Sequence, residues 1–181
     1  MPRFILALLL CLALPVSAAT QVQFTTNLGD FVIQLDEAKA PQTSANFLKY
    51  VKDGSYVGTI FHRVIPGFMA QGGGFDKDMK QRPSYAPIKN ESANGLPNDR
   101  ATVAMARTQD PHSATRQFYI NYENNSFLNA RGSQPGYAVF GKVVKGFSVI
   151  QKMAEIPTTR AMGMKDVPQQ PIVIEAVKII K

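Results

Sequence analysis

Apolar and polar residues alternate in short runs along most of the chain. QVQFTTN (21–27) and FVIQLD (31–36) flank Leu28-Gly29-Asp30, and two period-two runs around a glycine-containing connection predict a β-hairpin. Pro41 then opens a helix whose apolar stripe is Phe47, Leu48 and Val51, with Gly54 placed to end it. TIFHRVI (59–65) and MAQG (69–72) read as strands about Pro66-Gly67. Residues 75–100 are polar and rich in Pro, Asn and Asp, which predicts a long ordered surface loop with short strands. ATVAMA (101–106), RQFYIN (116–121) and YAVFGKVV (137–144) are strand-like. In VKGFSVIQKMAEI (144–156), Phe147, Ile150, Met153 and Ala154 fall on one face of a second helix. Residues 157–171 read as a loop and PIVIEAVKII (171–180) as a closing strand. Many short strands with only two helices predict a mainly β protein, an antiparallel barrel or sandwich. Barrel closure would remove exposed edges; periodicity alone does not choose between the two.

Length and composition change this picture mainly at the N-terminus. The 181 residues fit one domain. Residues 1–19 stand apart: MPR carries a charge, FILALLLCLAL is unbroken apolar, and PVSAA ends in small residues. This is the layout of a secretory signal peptide. Cleavage is expected after Ala18 or Ala19, leaving residues 20–181 as an exported domain with no membrane segment. The only cysteine, Cys11, would leave with the leader, so the exported chain would have neither disulfide nor thiol chemistry. Loss of Arg3 would take the net charge from +7 to +6. The basic residues are scattered singly, as at Lys39, Lys49, Lys52 and Arg63, and form no stripe for nucleic acid. No heptad pattern calls for assembly, so a monomer is expected.

The chemistry is first bounded by what is missing. His62 and His112 lie 50 positions apart, which is not the spacing of a zinc site. Asp110, His112 and Ser113 share one turn around Pro111 and cannot take up triad geometry. His62 is expected to be a structural hydrogen-bonding residue in its strand. Gly72-Gly73-Gly74 match neither G-x-G-x-x-G nor a P-loop; they predict a sharp turn or a close backbone approach.

What remains is FHRVIPGFMAQGGG (61–74), where an arginine and a glutamine interrupt an apolar run. A three-residue loop, Pro66-Gly67-Phe68, would pair Ile65 with Met69 and Arg63 with Gln71. Arg63, Met69 and Gln71 would then share a face. A two-residue loop would set Arg63 opposite Ala70 and turn Gln71 to the other side. The first register is preferred because it gathers both polar residues over an apolar floor. A guanidinium held there has five donors for an acceptor and a supporting amide.

This motif, with MA at 105–106, QF at 117–118, FL at 127–128 and GYAVFGKVV at 136–144, resembles the cyclophilin-type peptidyl-prolyl cis–trans isomerases. The likeness runs from about residue 22 to the C-terminus, and the leader recommends the periplasmic bacterial branch. The resemblance implies a closed eight-stranded antiparallel β-barrel capped by two α-helices, with a substrate groove on its outside. It implies a cofactor-independent isomerase, free of metal, acting on X–Pro bonds of unfolded or partly folded polypeptides and assisting the folding of exported proteins. Carried over by motif, Arg63 is the catalytic arginine and Gln71 orients it. Phe68, Met69, Tyr119 and Leu128 line the proline pocket, with Tyr137 at its rim. Ala106, Arg107 and Gln117 face the peptide backbone or the neighbouring groove, and Phe127 stands where many eukaryotic members carry tryptophan. Tyr119 replaces the usual phenylalanine, so its hydroxyl needs a partner. Tyr137 and Arg107 replace a histidine and an asparagine. With Phe127, these departures imply weak cyclosporin binding.

Overall fold

The computed structural model describes residues 19–181, so residues 1–18 of the leader-like segment, Cys11 among them, lie outside the described residues. Eight strands form one sheet: β1 (Gln21–Thr26), β2 (Gly29–Leu35), β3 (Thr59–Ile65), β4 (Met69–Asp76), β5 (Thr102–Met105), β6 (Phe118–Asn121), β7 (Val139–Lys145) and a last strand, β10 (Ile174–Ile179). Every pairing is antiparallel, in the order β10-β1-β2-β7-β5-β6-β4-β3. The edge strands meet through an Ile60–Val173 bridge, and the amides of Phe61 and Gly58 donate to Ile172 and Ile174 at 3.0 and 2.8 Å. The sheet is therefore a nearly closed barrel, and the barrel is chosen over the sandwich.

The interior is aromatic. Phe24, Phe31, Phe47, Tyr56, Phe61, Phe118 and Phe140 are all fully buried. Phe47 comes from helix α1 (Pro41–Lys52) and meets the rings of Phe24, Phe118 and Phe140 at 5.0–6.0 Å, so the helix plugs the barrel. Proline at the first turn and Gly54 at φ 72° bound this helix as the sequence predicts. Helix α2 (Phe147–Met153) packs on β2, where Val149 fills the space over Gly29.

Three expectations need correction. The first hairpin turns at Asn27-Leu28, with Gly29 already paired to Thr26. The loop at 75–100 carries no strand of its own beyond the end of β4; single bridges at Phe75–Gln81 and Ile88–Ala114 are its only pairings. Residues 157–171 hold a second hairpin, β8 (Thr158–Ala161) and β9 (Met164–Pro168). Its turn residues Met162 and Gly163 both have positive φ, 48° and 79°, the signature of a type I′ turn. Met-Gly is not the usual chemistry for that turn, and β8 buries no residue fully, so neither turn nor periodicity announced it.

Candidate active site

The β3–β4 hairpin has the three-residue register: Ile65 opposes Met69 and Arg63 opposes Gln71. The amide of Phe68 closes the turn on the Ile65 carbonyl at 3.0 Å, with Gly67 at φ 72°. The row continues across the sheet. Gln71 opposes Tyr119 on β6, Tyr119 opposes Ala104 on β5, and Ala104 opposes Val139 on β7. Residues directly opposed share a face, so Arg63, Gln71, Tyr119, Ala104 and Val139 form one transverse line. Their alternating neighbours Val64, Ala70, Val103, Phe118 and Phe140 belong to the barrel core. Met69, Ala104, Tyr119 and Val139 form a separate buried cluster on the outer face, flanked by Phe68, Ala106, Leu128 and Tyr137. These strands are apolar on both faces because one face builds the core and the other floors a site.

A cavity of about 120 Å³ opens on this outer face. Pockets for drug-sized ligands run to roughly 300–1,000 Å³, so this one suits a single small ring. Arg63, Phe68, Met69 and Gln71 line one side; Ala106, Arg107, Tyr119, Leu128 and Tyr137 line the other. Phe127 and Gln117 lie outside this lining. Phe127 is 63% exposed on a single 3₁₀ turn (Ser126–Leu128) and stacks on Phe68 with centroids 5.5 Å apart. Gln117 accepts a hydrogen bond from Gln71 Nε2 at 2.8 Å. A larger cleft of about 590 Å³ bordered by Leu35, Leu96 and Val144 touches the motif only along β7, at Val139, Gly141, Lys142 and Val144, and contains no residue of FHRVIPGFMAQGGG.

The glycines explain how Gln117 gets there. A Cβ on Gly74 would stand 2.5 Å from the Gln117 Cδ, so only glycine leaves that side chain its seat. Gly73 has φ 82° and its Cβ would meet the Tyr56 ring at 2.8 Å. Gly72 lies as close to Phe61, at 2.9 Å. The register is also broken here. Between Phe61–Gly72 and Arg63–Gln71, β3 advances two residues and β4 one, leaving His62 as a bulge just before Arg63. Bulges re-aim neighbouring side chains.

Arg63 is not held by Gln71. Among the described residues its partner is Asp166 of β9, with Nε 3.7 Å from Oδ2 and side chains 43% and 38% exposed. Gln71 turns its amide to Gln117 instead. The three-dimensional approach of β9 to β3 brings in Asp166, which the sequence did not flag.

The Tyr119 hydroxyl has the partner it requires. It donates to Asn98 Oδ1 at 2.7 Å, away from the cavity, and burial pushes its pKa well above the ordinary tyrosine value. Asn98 is fully buried and its amide nitrogen donates to Asn129 Oδ1 at 3.0 Å. Asn125 Nδ2 donates to the Phe68 carbonyl at 2.9 Å. This asparagine scaffold also escaped the sequence reading; the only signal was the density of asparagines at 121–129. Arg107 spends its donors on backbone, Nε to Gly136 at 3.2 Å and the terminal nitrogens to Thr108 and Pro135 at 2.8 and 3.0 Å. Its guanidinium lies 4.5 Å over the Tyr137 ring. It thereby clamps two loops and fixes the rim tyrosine. His62 is 3% exposed, packs against Phe75 at 4.7 Å, and burial pushes its pKa down to about 4. Among the described residues no cluster of His, Cys, Asp or Glu could hold a metal ion, and no helix is long and apolar enough to cross a membrane.

Known proteins resemble this chain in sequence and fold. Residues 21–179 match the family of cyclophilin type peptidyl-prolyl cis-trans isomerases. A peptidyl-prolyl cis-trans isomerase of Acinetobacter baylyi is 54% identical over 162 residues, 90% of this chain and 86% of that one. Peptidyl-prolyl cis-trans isomerase B of Escherichia coli is 52% identical over 161 residues, covering 87% and 98%. A cyclophilin type isomerase from Cryptosporidium parvum superposes with TM-score 0.75 at 27% identity, covering 91% of this chain and 99% of that one. The same protein has been crystallised in the presence of the dipeptide Ala-Pro. On motif, barrel topology and likeness together, the chain belongs to the cyclophilin-type peptidyl-prolyl cis–trans isomerases.

Proposed function

We propose that Arg63 is the group that catalyses X–Pro rotation here, and that the clients are unfolded or partly folded exported proteins. The observation that carries the first part is a guanidinium at the mouth of a small apolar cavity floored by Met69 and Tyr119. Rotation about X–Pro is slow because amide resonance must break, at a cost of about 18–20 kcal/mol. At the twisted geometry the prolyl nitrogen regains a lone pair. A donor aimed at it binds the transition state better than the planar ground state, and only that difference accelerates the step. An arginine suits this task because its side chain is not deprotonated in proteins. Phe68, Met69, Tyr119 and Leu128 would hold the proline ring while the acyl side swings. Phe127 and Tyr137 extend the groove, and Ala106 and Arg107 edge it. The Gln71–Gln117 pair keeps one carbonyl and one amide nitrogen free for the peptide backbone. A rate gain of about 10⁵ needs roughly 7 kcal/mol.

Arg63→Ala is the test, in a prolyl isomerisation assay with peptide binding measured alongside. Turnover should fall by about 10²–10³, or ~3–4 kcal/mol, with binding largely kept. Unchanged turnover would sink the assignment. Lost turnover with cellular function intact would make the protein a proline-peptide receptor instead. The leader-like segment supports export to the periplasm. Cyclosporin should bind weakly, because Phe127 and Tyr137 replace the groups common in eukaryotic members; a nanomolar constant, about −12 kcal/mol, would contradict this.

A further inference from the structure

We propose that Asp166 is a positioning residue for Arg63, an inference that rests on the role of Arg63 proposed above. The arginine carries five donors, yet among the described residues its one charged partner is this carboxylate, 3.7 Å from Nε. The contact engages the Nε edge of the guanidinium. The two terminal nitrogens are left free of that contact, and Arg63 lines the cavity. A carboxylate on that edge restricts the rotation of a long side chain and sets the direction in which the remaining donors point.

The way Asp166 is delivered supports the same role. It sits on β9, which lies along β3 although the two strands are far apart in sequence. The next residue, Val167, is buried and fixes the strand. Asp166 itself adopts φ 62°, a left-handed conformation. Glycine would meet that backbone requirement without strain, and Asp and Asn are the side chains that tolerate it best. A polar side chain at this position thus combines an unusual backbone with a contact to the site. The carboxylate also works against the arginine, since it offsets part of the positive field at the prolyl nitrogen. Both groups are well exposed, so water screens that penalty, whereas the orientation of the donors affects every turnover. Orientation therefore wins.

Asp166→Asn is the informative change, because asparagine keeps the left-handed backbone and the shape while removing the charge. It should lower kcat about three- to fivefold and move KM by less than about twofold, with an unchanged denaturation midpoint. Screening should reproduce the effect. Raising ionic strength from 0.01 to 1 M shortens the screening length from about 30 to about 3 Å; wild-type kcat should drift towards that of the variant, which itself should stay flat. In an Arg63→Ala background the same change should do nothing, because independent sites add and coupled ones do not. Wild-type kcat in Asp166→Asn, a rise in kcat, or an equal loss in the Arg63→Ala background would each overturn the proposal. Full activity of Arg63→Ala alone would instead remove the catalytic assignment beneath it.

Discussion

His62 and Arg63 are consecutive, yet the fold gives them opposite surroundings. Arg63 is nearly half exposed, while His62 is enclosed beside Phe75 with its Nδ1 unpartnered. Burial disfavours the imidazolium and pushes its pKa down to about 4, against about 6.5 in an unfolded chain. Between those values the unfolded chain binds a proton that the folded one does not. The stabilisation from a neutral His62 is therefore complete above about pH 6.5 and is lost as pH falls towards 4, by ~3 kcal/mol. The Asp53 carboxyl, lowered chiefly by its hydrogen bonds to Tyr85 and Ser55 against an opposing burial effect, adds to acid destabilisation. Its contribution cancels in a comparison with His62→Leu. Denaturant midpoints measured from pH 7 to 4.5 should show a weaker pH dependence in that variant. Equal slopes would mean that His62 does not titrate as placed.

At the scale of elements, the β3–β4 hairpin carries both its own register and the seat of a residue from β6's approach. The two glycines Gly73 and Gly74 separate these tasks. At Gly73 a Cβ would meet the Tyr56 ring on a backbone at φ 82°, so Gly73→Ala should cost ~2–3 kcal/mol of stability. At Gly74 the obstacle is the flexible Gln117 side chain. Gly74→Ala should cost only ~1 kcal/mol in stability, while kcat/KM drops about fivefold as the Gln71–Gln117 pair is broken. Urea unfolding and peptide turnover on both variants would separate the two effects; a Gly74→Ala protein with full turnover would show that the amide pair is dispensable. Much of this hairpin was legible beforehand, because loop length and alternation fix register locally. The β8–β9 hairpin was not, since β8 buries no residue fully and the Met-Gly turn lacks the usual signal.

For the whole molecule, the barrel keeps aromatic side chains inside and leaves the site on an outer face, so the site can be altered without emptying the core. Export is the prediction at this scale. Protein recovered from the periplasm should begin at Ala19 or Thr20, read by N-terminal sequencing, and a chain beginning at Met1 would contradict a cleaved leader. Cleavage there would leave intact the pairing of Gln21 with Gln34 that starts the barrel.

The sequence by itself determined the eight barrel strands, the two helices, the Arg63–Gln71 register and the family likeness. These depend on short-range periodicity, turn length and residue type, which are properties of neighbouring positions. It could not choose the barrel over the sandwich from pattern alone, because the strands through the site are buried on both faces and lose their alternation. Only the tertiary structure decided which partners complete the site: Asp166 for Arg63, Gln117 for Gln71, and Asn98 for the Tyr119 hydroxyl. Each pair is distant along the chain and meets only when the sheet curls and the second hairpin lies along β3, a geometry set by the packing of the whole barrel.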